Sequence, residues 1–293
     1  MTDGSNGTQE PDAPAHVWTS VPVRMAAFLT ACYVGWHLLT PRLPPLGPVT
    51  GTLLSVTASV TLSIGIIYHV ARVATALRGE IAGAVVCLGI WAVILYVLRP
   101  ADDQRLVAAV TSHTFFLFGA TFAGKALTRA VGNVNLLLPI AVVAVVFDTV
   151  YVFWGPTGHM VEVMPQVVAH LSMPIPAVGG SEASGPVSKG YVATTLGPGD
   201  LLFVAFLLAA ALRLKLNARG TYLSMVPLVI AGLLFVVATG KSLPGWLVFT
   251  PGFIAANYHY FHYTAQEKRA MLQAGAVLAV IVALTIIAFH GQQ

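Results

Sequence analysis

The chain repeats one pattern along its length, runs of about 20 apolar residues separated by short polar connections. Nine such runs are read, near Val21–Leu39, Val49–Val73, Ile81–Leu98, Arg105–Leu127, Asn135–Trp154, Gly199–Leu214, Thr221–Gly240, Pro244–Tyr263 and Ala270–His290. A run of that length crosses a hydrocarbon core as a helix that satisfies all its own backbone hydrogen bonds. A barrel would instead show alternating strands of about ten residues. The fold expected is therefore all-α, a polytopic transmembrane helix bundle of about nine spans. Composition agrees: 57% of residues are apolar and 9% charged, where a soluble domain carries about 25% charged residues.

The runs divide the chain. Residues 1–20 are polar and Gly/Pro-containing and read as a disordered tail, without the basic start and short apolar stretch of a signal peptide. Residues 21–134 hold four spans, 135–263 a core with a long loop at 155–196, and 264–293 a last helix. Within that loop, Pro174 to Pro186 is rich in Gly, Pro and Ser and reads as mobile. Lys189–Thr195, with its β-branched and aromatic residues, is a candidate strand. The run Pro244–Tyr263 contains Pro251, Gly252 and Asn257 and is expected to be broken or only partly embedded. Ten of the 15 Lys and Arg residues, among them Arg72, Lys125, Arg129 and Arg213, fall on the N-terminal side of nine spans. That bias predicts a cytoplasmic N-terminus and an outward long loop, in the cell membrane. The net charge of +4 is spread over loops, with no basic stripe suited to nucleic acid. Cys32 and Cys87 both sit in apolar runs and indicate no disulfide or metal framework.

Asp148 is the one acidic residue inside an apolar run, in Val145-Val146-Phe147-Asp148-Thr149-Val150. A carboxylate at that depth costs roughly 2.5–3.5 kcal/mol on insertion scales, and chains keep one mostly where it acts. The next run opens with Gly197-Pro198-Gly199-Asp200. Pro198 suits the start of a helix, so Asp200 is expected in the first turn, near the positive end of the macrodipole. Gly197 and Gly199 lack side chains and are expected to let a facing helix come close. Two carboxylates sharing one proton supply a base for an attacking water and an acid for a leaving nitrogen. An irregular Pro244–Trp246 would leave backbone groups free to hold an unwound peptide as an added strand, with Tyr191–Thr195 on its other side.

Phe147-Asp148 in one helix, Gly197-Pro198-Gly199-Asp200 at the mouth of the next, and Leu243-Pro244-Gly245-Trp246 one helix later follow a recognisable order. This order resembles the presenilin and signal peptide peptidase family of GxGD intramembrane aspartyl proteases. The likeness covers residues 135 to 260. It implies a presenilin-like bundle and a catalytic pair Asp148 and Asp200. Phe147, Gly197, Gly199, Leu243, Pro244, Gly245 and Trp246 would then shape the site and bind substrate. It implies transmembrane peptides as substrates and no metal or organic cofactor, and the compact chain leans toward action without accessory subunits. The pattern departs from the family where Phe147 stands for Tyr and Gly245-Trp246 for Ala-Leu. Four spans, not five, precede the first aspartate.

Plainer readings compete. Asp148 could pair with a base, of which only Lys125 lies at comparable depth, or serve a proton-coupled transporter or channel as its titrating group. Asp200 alone could be a helix cap. Type IV prepilin peptidases share Gly-x-Gly-Asp but fit the Pro244 segment poorly. His259 and His262 share a face if the last part of that run is helical, which would suit a metal or an interfacial belt. His69 and His113 read as hydrogen-bonded core residues.

Overall fold

The structure, a computed structural model, describes residues 20–44, 46–98, 105–153, 172–178 and 192–290. Nine α-helices occur among them: α1 (Val21–Leu39), α2 (Pro48–Ala71), α3 (Leu77–Ala92, continued as a wider π-turn Val93–Leu98), α4 (Arg105–Thr128), α5 (Leu137–Phe153), α6 (Pro198–Arg213), α7 (Ala218–Thr239), α8 (Gly245–Asn257) and α9 (Ala265–His290). Six of them, α2, α3, α4, α5, α7 and α9, are long and apolar enough to cross a membrane. The chain is thus a mostly helical bundle of membrane-spanning character. The other three helices have 19, 16 and 13 residues. The N-terminal tail and most of the long loop lie outside the described residues.

Helix α6 is the post around which the rest is built. Ten of its 16 residues are buried, among them Leu201, Ala205, Leu208 and Ala211. At 1.5 Å per residue it is about 24 Å long, short of a hydrocarbon core of about 30 Å. Helix α4 packs along it, α3 packs on α4, and α1 on α2. The two helices come close at Gly124 of α4, where an added Cβ would lie 2.8 Å from both the Ala205 Cβ and the Phe206 amide nitrogen. Helices α7 and α8 form a second close pair. A Cβ at Gly252 would sit 3.1 Å from the Ser224 carbonyl carbon, and the Ser224 hydroxyl donates to the Gly252 carbonyl at 2.8 Å. The pair is tied again by buried Asn257. Its amide donates to Thr221 Oγ1 and to the Phe253 carbonyl at 2.7 and 2.8 Å, and its oxygen accepts the Asn217 N–H at 2.9 Å. Helix α7 ends at Gly240, whose φ of 66° is the left-handed conformation a side chain would strain.

Two short strands precede α6. β1 (Met173–Pro176) and β2 (Val192–Leu196) pair antiparallel, Met173 opposite Leu196. Met173 and Ile175 are fully buried, and the Ser55 hydroxyl of α2 donates to the Pro176 carbonyl. Of the candidate strand at 189–195, residues 192–195 are seen in β2, and 189–191 lie outside the described residues. The segment Pro174–Pro186, expected to be mobile, instead begins as strand through Pro176; two prolines fit because a two-stranded sheet has only edges. The rest of that segment lies outside the described residues.

The run Pro244–Tyr263 is indeed interrupted. Helix α8 stops at Asn257, and a 3-10 turn occupies Tyr258–Tyr260. His259 and His262 therefore do not share a helix face, which removes the basis for reading them together. His69 Nδ1 is buried without a hydrogen-bond partner among the described residues, against the expectation for that residue.

Candidate functional site

Asp148 lies on α5 and Asp200 in the first turn of α6, and both carboxylates meet the N-terminal end of α8. The Trp246 N–H donates to Asp148 Oδ2 at 2.9 Å. The Asp200 carboxylate lies directly against the Cα of Gly245, where an added Cβ would overlap it. The two carboxylates are near enough to interact through their charges. Adjacent residues of one helix end thus hold the two acids.

The physical reason lies in helix ends. The first amides of a helix have no intrahelical acceptor, and the summed dipole places about half a positive charge there. Asp148 takes the second such amide of α8. Asp200 sits at the start of its own helix, where its Oδ2 accepts the Gly197 N–H at 3.1 Å. Two helix N-termini therefore face two carboxylates, so neither needs a cationic side chain. Lys125, the base of the competing reading, lies toward the other end of α6 and is engaged there. Its ammonium donates to the Val73 carbonyl at 2.7 Å and to Thr75 Oγ1 at 2.8 Å, and lies 4.0 Å from Glu80. The capping role for Asp200 is present too: one oxygen caps, while the other lies toward Gly245.

Two cavities open on this locus from opposite sides. One, about 180 Å³, has Asp200 in its wall, Thr195 and Leu196 of β2 on one side, and Ser242, Leu243 and Gly245 on the other. The second, about 730 Å³, is almost wholly apolar and runs between α5 and α6 past Ile140, Phe147, Phe203 and Trp246. The stacked rings of Trp246 and Phe203, 4.2 Å apart and nearly parallel, line it.

Asp148, Asp200, Gly197, Leu243, Gly245 and Trp246 are thus brought to one place, with Pro244 buried as the residue before α8. Phe147 is not at the carboxylates; its ring is 41% exposed and lines the apolar cleft. The glycines of Gly-x-Gly-Asp do not admit a facing helix. A Cβ at Gly197 would meet only Asp200, at 3.0 Å, and one at Gly199 only the Trp246 indole, at 3.9 Å. Close approaches between helices fall at other glycines, among them Gly119 and Gly124 of α4. Nor is Pro244–Trp246 irregular throughout: Gly245 and Trp246 are helical, and the Trp246 amide is taken by Asp148. The non-helical stretch is 240–244. Sequence reasoning missed Phe203, although it lies three residues after Asp200 and so on the same face of α6.

Searches of known protein families, curated protein sequences and solved structures return no match to this chain.

Proposed function

We propose that the protein is an intramembrane aspartic endopeptidase that hydrolyses peptide bonds within transmembrane segments of other proteins, with Asp148 and Asp200 as its catalytic pair. The observation that carries this reading is the meeting of two carboxylates from separate helices at Gly245 and Trp246, neither of them paired with a basic side chain among the described residues. One carboxylate, ionised, takes a proton from water as the water oxygen attacks the scissile carbonyl carbon. The other, protonated, gives its proton to the departing nitrogen. The resemblance to presenilin and signal peptide peptidase motifs supports the same roles.

The two cavities suit the two parts of such a substrate. The apolar cleft between α5 and α6 takes the helical, lipid-facing part. The smaller cavity, with the edge of β2, unpaired among the described residues, on one side and Ser242–Leu243 on the other, takes the unwound part as an added strand. Unwinding exposes a peptide bond that helical turns otherwise shield. No metal or organic cofactor enters this chemistry. The protein acts without accessory subunits in the cell membrane, in a presenilin-like arrangement of about nine spans.

The test is cleavage of a helix-destabilised transmembrane peptide by the protein purified in mild detergent, read by mass spectrometry. Wild type should cut within the apolar stretch, and Asp148→Asn and Asp200→Asn should each lose activity while remaining folded. Retained cleavage in either variant would end the proposal. Proton flux into vesicles that depends on Asp148 and not on Asp200, without cleavage, would replace it with proton-coupled transport.

A further inference from the structure

At the opposite end of α6 from Asp200 lies a cavity of about 510 Å³ that no part of the proposed chemistry uses. It opens where α2, α4 and α6 end and α3 begins, so it sits at the level where helices leave the apolar layer. Its walls carry Arg72, Lys125, Arg129 and Arg213 against one carboxylate, Glu80. Three helix C-termini add about half a negative charge each. With the half positive charge at the start of α3, four cations against Glu80 and those three ends leave the cavity positive by about two charges.

The donors divide into spent and free. Lys125 is buried and its ammonium is shared among the Val70 and Val73 carbonyls and Thr75 Oγ1. Arg129 gives Nε and Nη2 to Glu80 and Thr75. Arg213 uses only Nη1, on the Thr128 and Val131 carbonyls. Arg72 has only the ring of Tyr68, 5.5 Å away, and no hydrogen bond or ion pair among the described residues. The whole fork of Arg72, Nε and Nη2 of Arg213 and Nη1 of Arg129 are therefore available, facing one space. Forked guanidinium donors match the oxygens of a phosphate.

We propose that this cavity binds a phosphate group, that of an anionic phospholipid headgroup entering from the adjoining leaflet. The size lies within the range of small-molecule sites, roughly 300–1,000 Å³. Basic pockets between membrane helices at headgroup level are suited to such lipids. All four cations also belong to the side that the charge bias makes cytoplasmic, where anionic lipids concentrate. The proposal is independent of the protease reading.

The experiment places the full chain in phosphatidylcholine nanodiscs and titrates phosphatidylglycerol, counting retained lipid by native mass spectrometry. Phosphatidylglycerol should bind at least tenfold more tightly than phosphatidylcholine. Arg72→Gln and Arg213→Gln should each weaken it tenfold or more, and Arg24→Gln, outside the cavity, should not. Arg72→Gln gives up only the contact with the Tyr68 ring and no hydrogen bond or ion pair among the described residues, so its loss is not one of folding. Competition by millimolar inorganic phosphate would assign the same site to free phosphate; its absence would assign it to the lipid. Equal retention of the two lipids with no phosphate binding, or wild-type affinity in both Arg variants, would overturn the proposal.

Discussion

Replacing Gly124 by Ala tests the packing that fixes the central helix. The added methyl would stand 2.8 Å from the Ala205 Cβ, 2.8 Å from the Phe206 nitrogen and 2.9 Å from the Leu202 oxygen. Carbon contacts are comfortable from about 3.5 Å, so α4 and α6 must part by roughly 0.7 Å. None of the three atoms can rotate aside, since two are backbone and the third is attached directly to it. Overpacking of this kind costs about 1–3 kcal/mol. Against it stands the gain of Ala over Gly in a helix, about 1 kcal/mol. Gly35 on α1 separates these terms, because a methyl there meets nothing within 4 Å. Gly35→Ala carries the gain alone, so Gly124→Ala should be the less stable of the two by about 1–3 kcal/mol. At roughly 2–4 °C per kcal/mol, thermal unfolding in mild detergent resolves that difference. Because α6 carries Asp200, and a misplacement of about 1 Å can cost a hundredfold in rate, Gly124→Ala should also cut peptide cleavage about tenfold or more. If both variants are stabilised equally, the α4–α6 crossing described here is wrong.

Gly245→Ala should leave the fold intact but force the Asp200 carboxylate off the Gly197 amide, lowering turnover about tenfold. Gly199→Ala, with its nearest neighbour at 3.9 Å, should cleave like wild type, and equal rates for the two would refute the placement of Asp200. Asn257→Ala removes two hydrogen bonds between the α7 start and α8 and one within α8, and leaves the Asn217 amide without its acceptor, a loss of about 2–4 kcal/mol in a denaturant midpoint; a change below about 0.5 kcal/mol would contradict the buried network. Glu80→Ala takes away the Arg129 partner at 2.9 Å and leaves Lys125 without a carboxylate. Because Arg129 is exposed, its share is screened by solvent, and the expected outcome is a lower unfolding midpoint in the same assay; an unchanged midpoint would contradict the Glu80 contacts.

How much of this was readable beforehand depends on the kind of force at work. Helix positions follow from one-dimensional hydrophobicity, so Val21–Leu39 was delimited to the residue and α4 to within one. Whether each run crosses the apolar layer is a matter of length that only the folded helix gives. Pro244–Tyr263 shrinks to a 13-residue helix, and the Gly199 run to 16 residues. The pairing of Asp148 with Asp200 was legible from motif order. That Gly245 and Trp246 would be the residues joining them was not, because a proline followed by glycine predicts a break, and here the proline precedes a helix start. Close-approach glycines were sought beside Asp200 and found on α4, since which glycine faces another helix depends on rotation about an axis the sequence does not specify. The strand Met173–Pro176 escaped because its prolines argue against a strand everywhere except at an edge.

Helix α5 packs chiefly on α8 and makes little direct contact with α6, so the second aspartate is delivered by a go-between. Parting the pair requires releasing the Trp246 amide from Asp148 and an α5–α8 contact that lipid chains can replace at little cost, since apolar helices in a bilayer gain nothing from excluding water. A charge-assisted hydrogen bond contributes about 1.5–3 kcal/mol, which by itself would leave roughly one molecule in ten to one in two hundred separated at any instant. Whatever shifts α8, including a guest in the apolar cleft against Trp246, sets the fraction of time the two acids spend together.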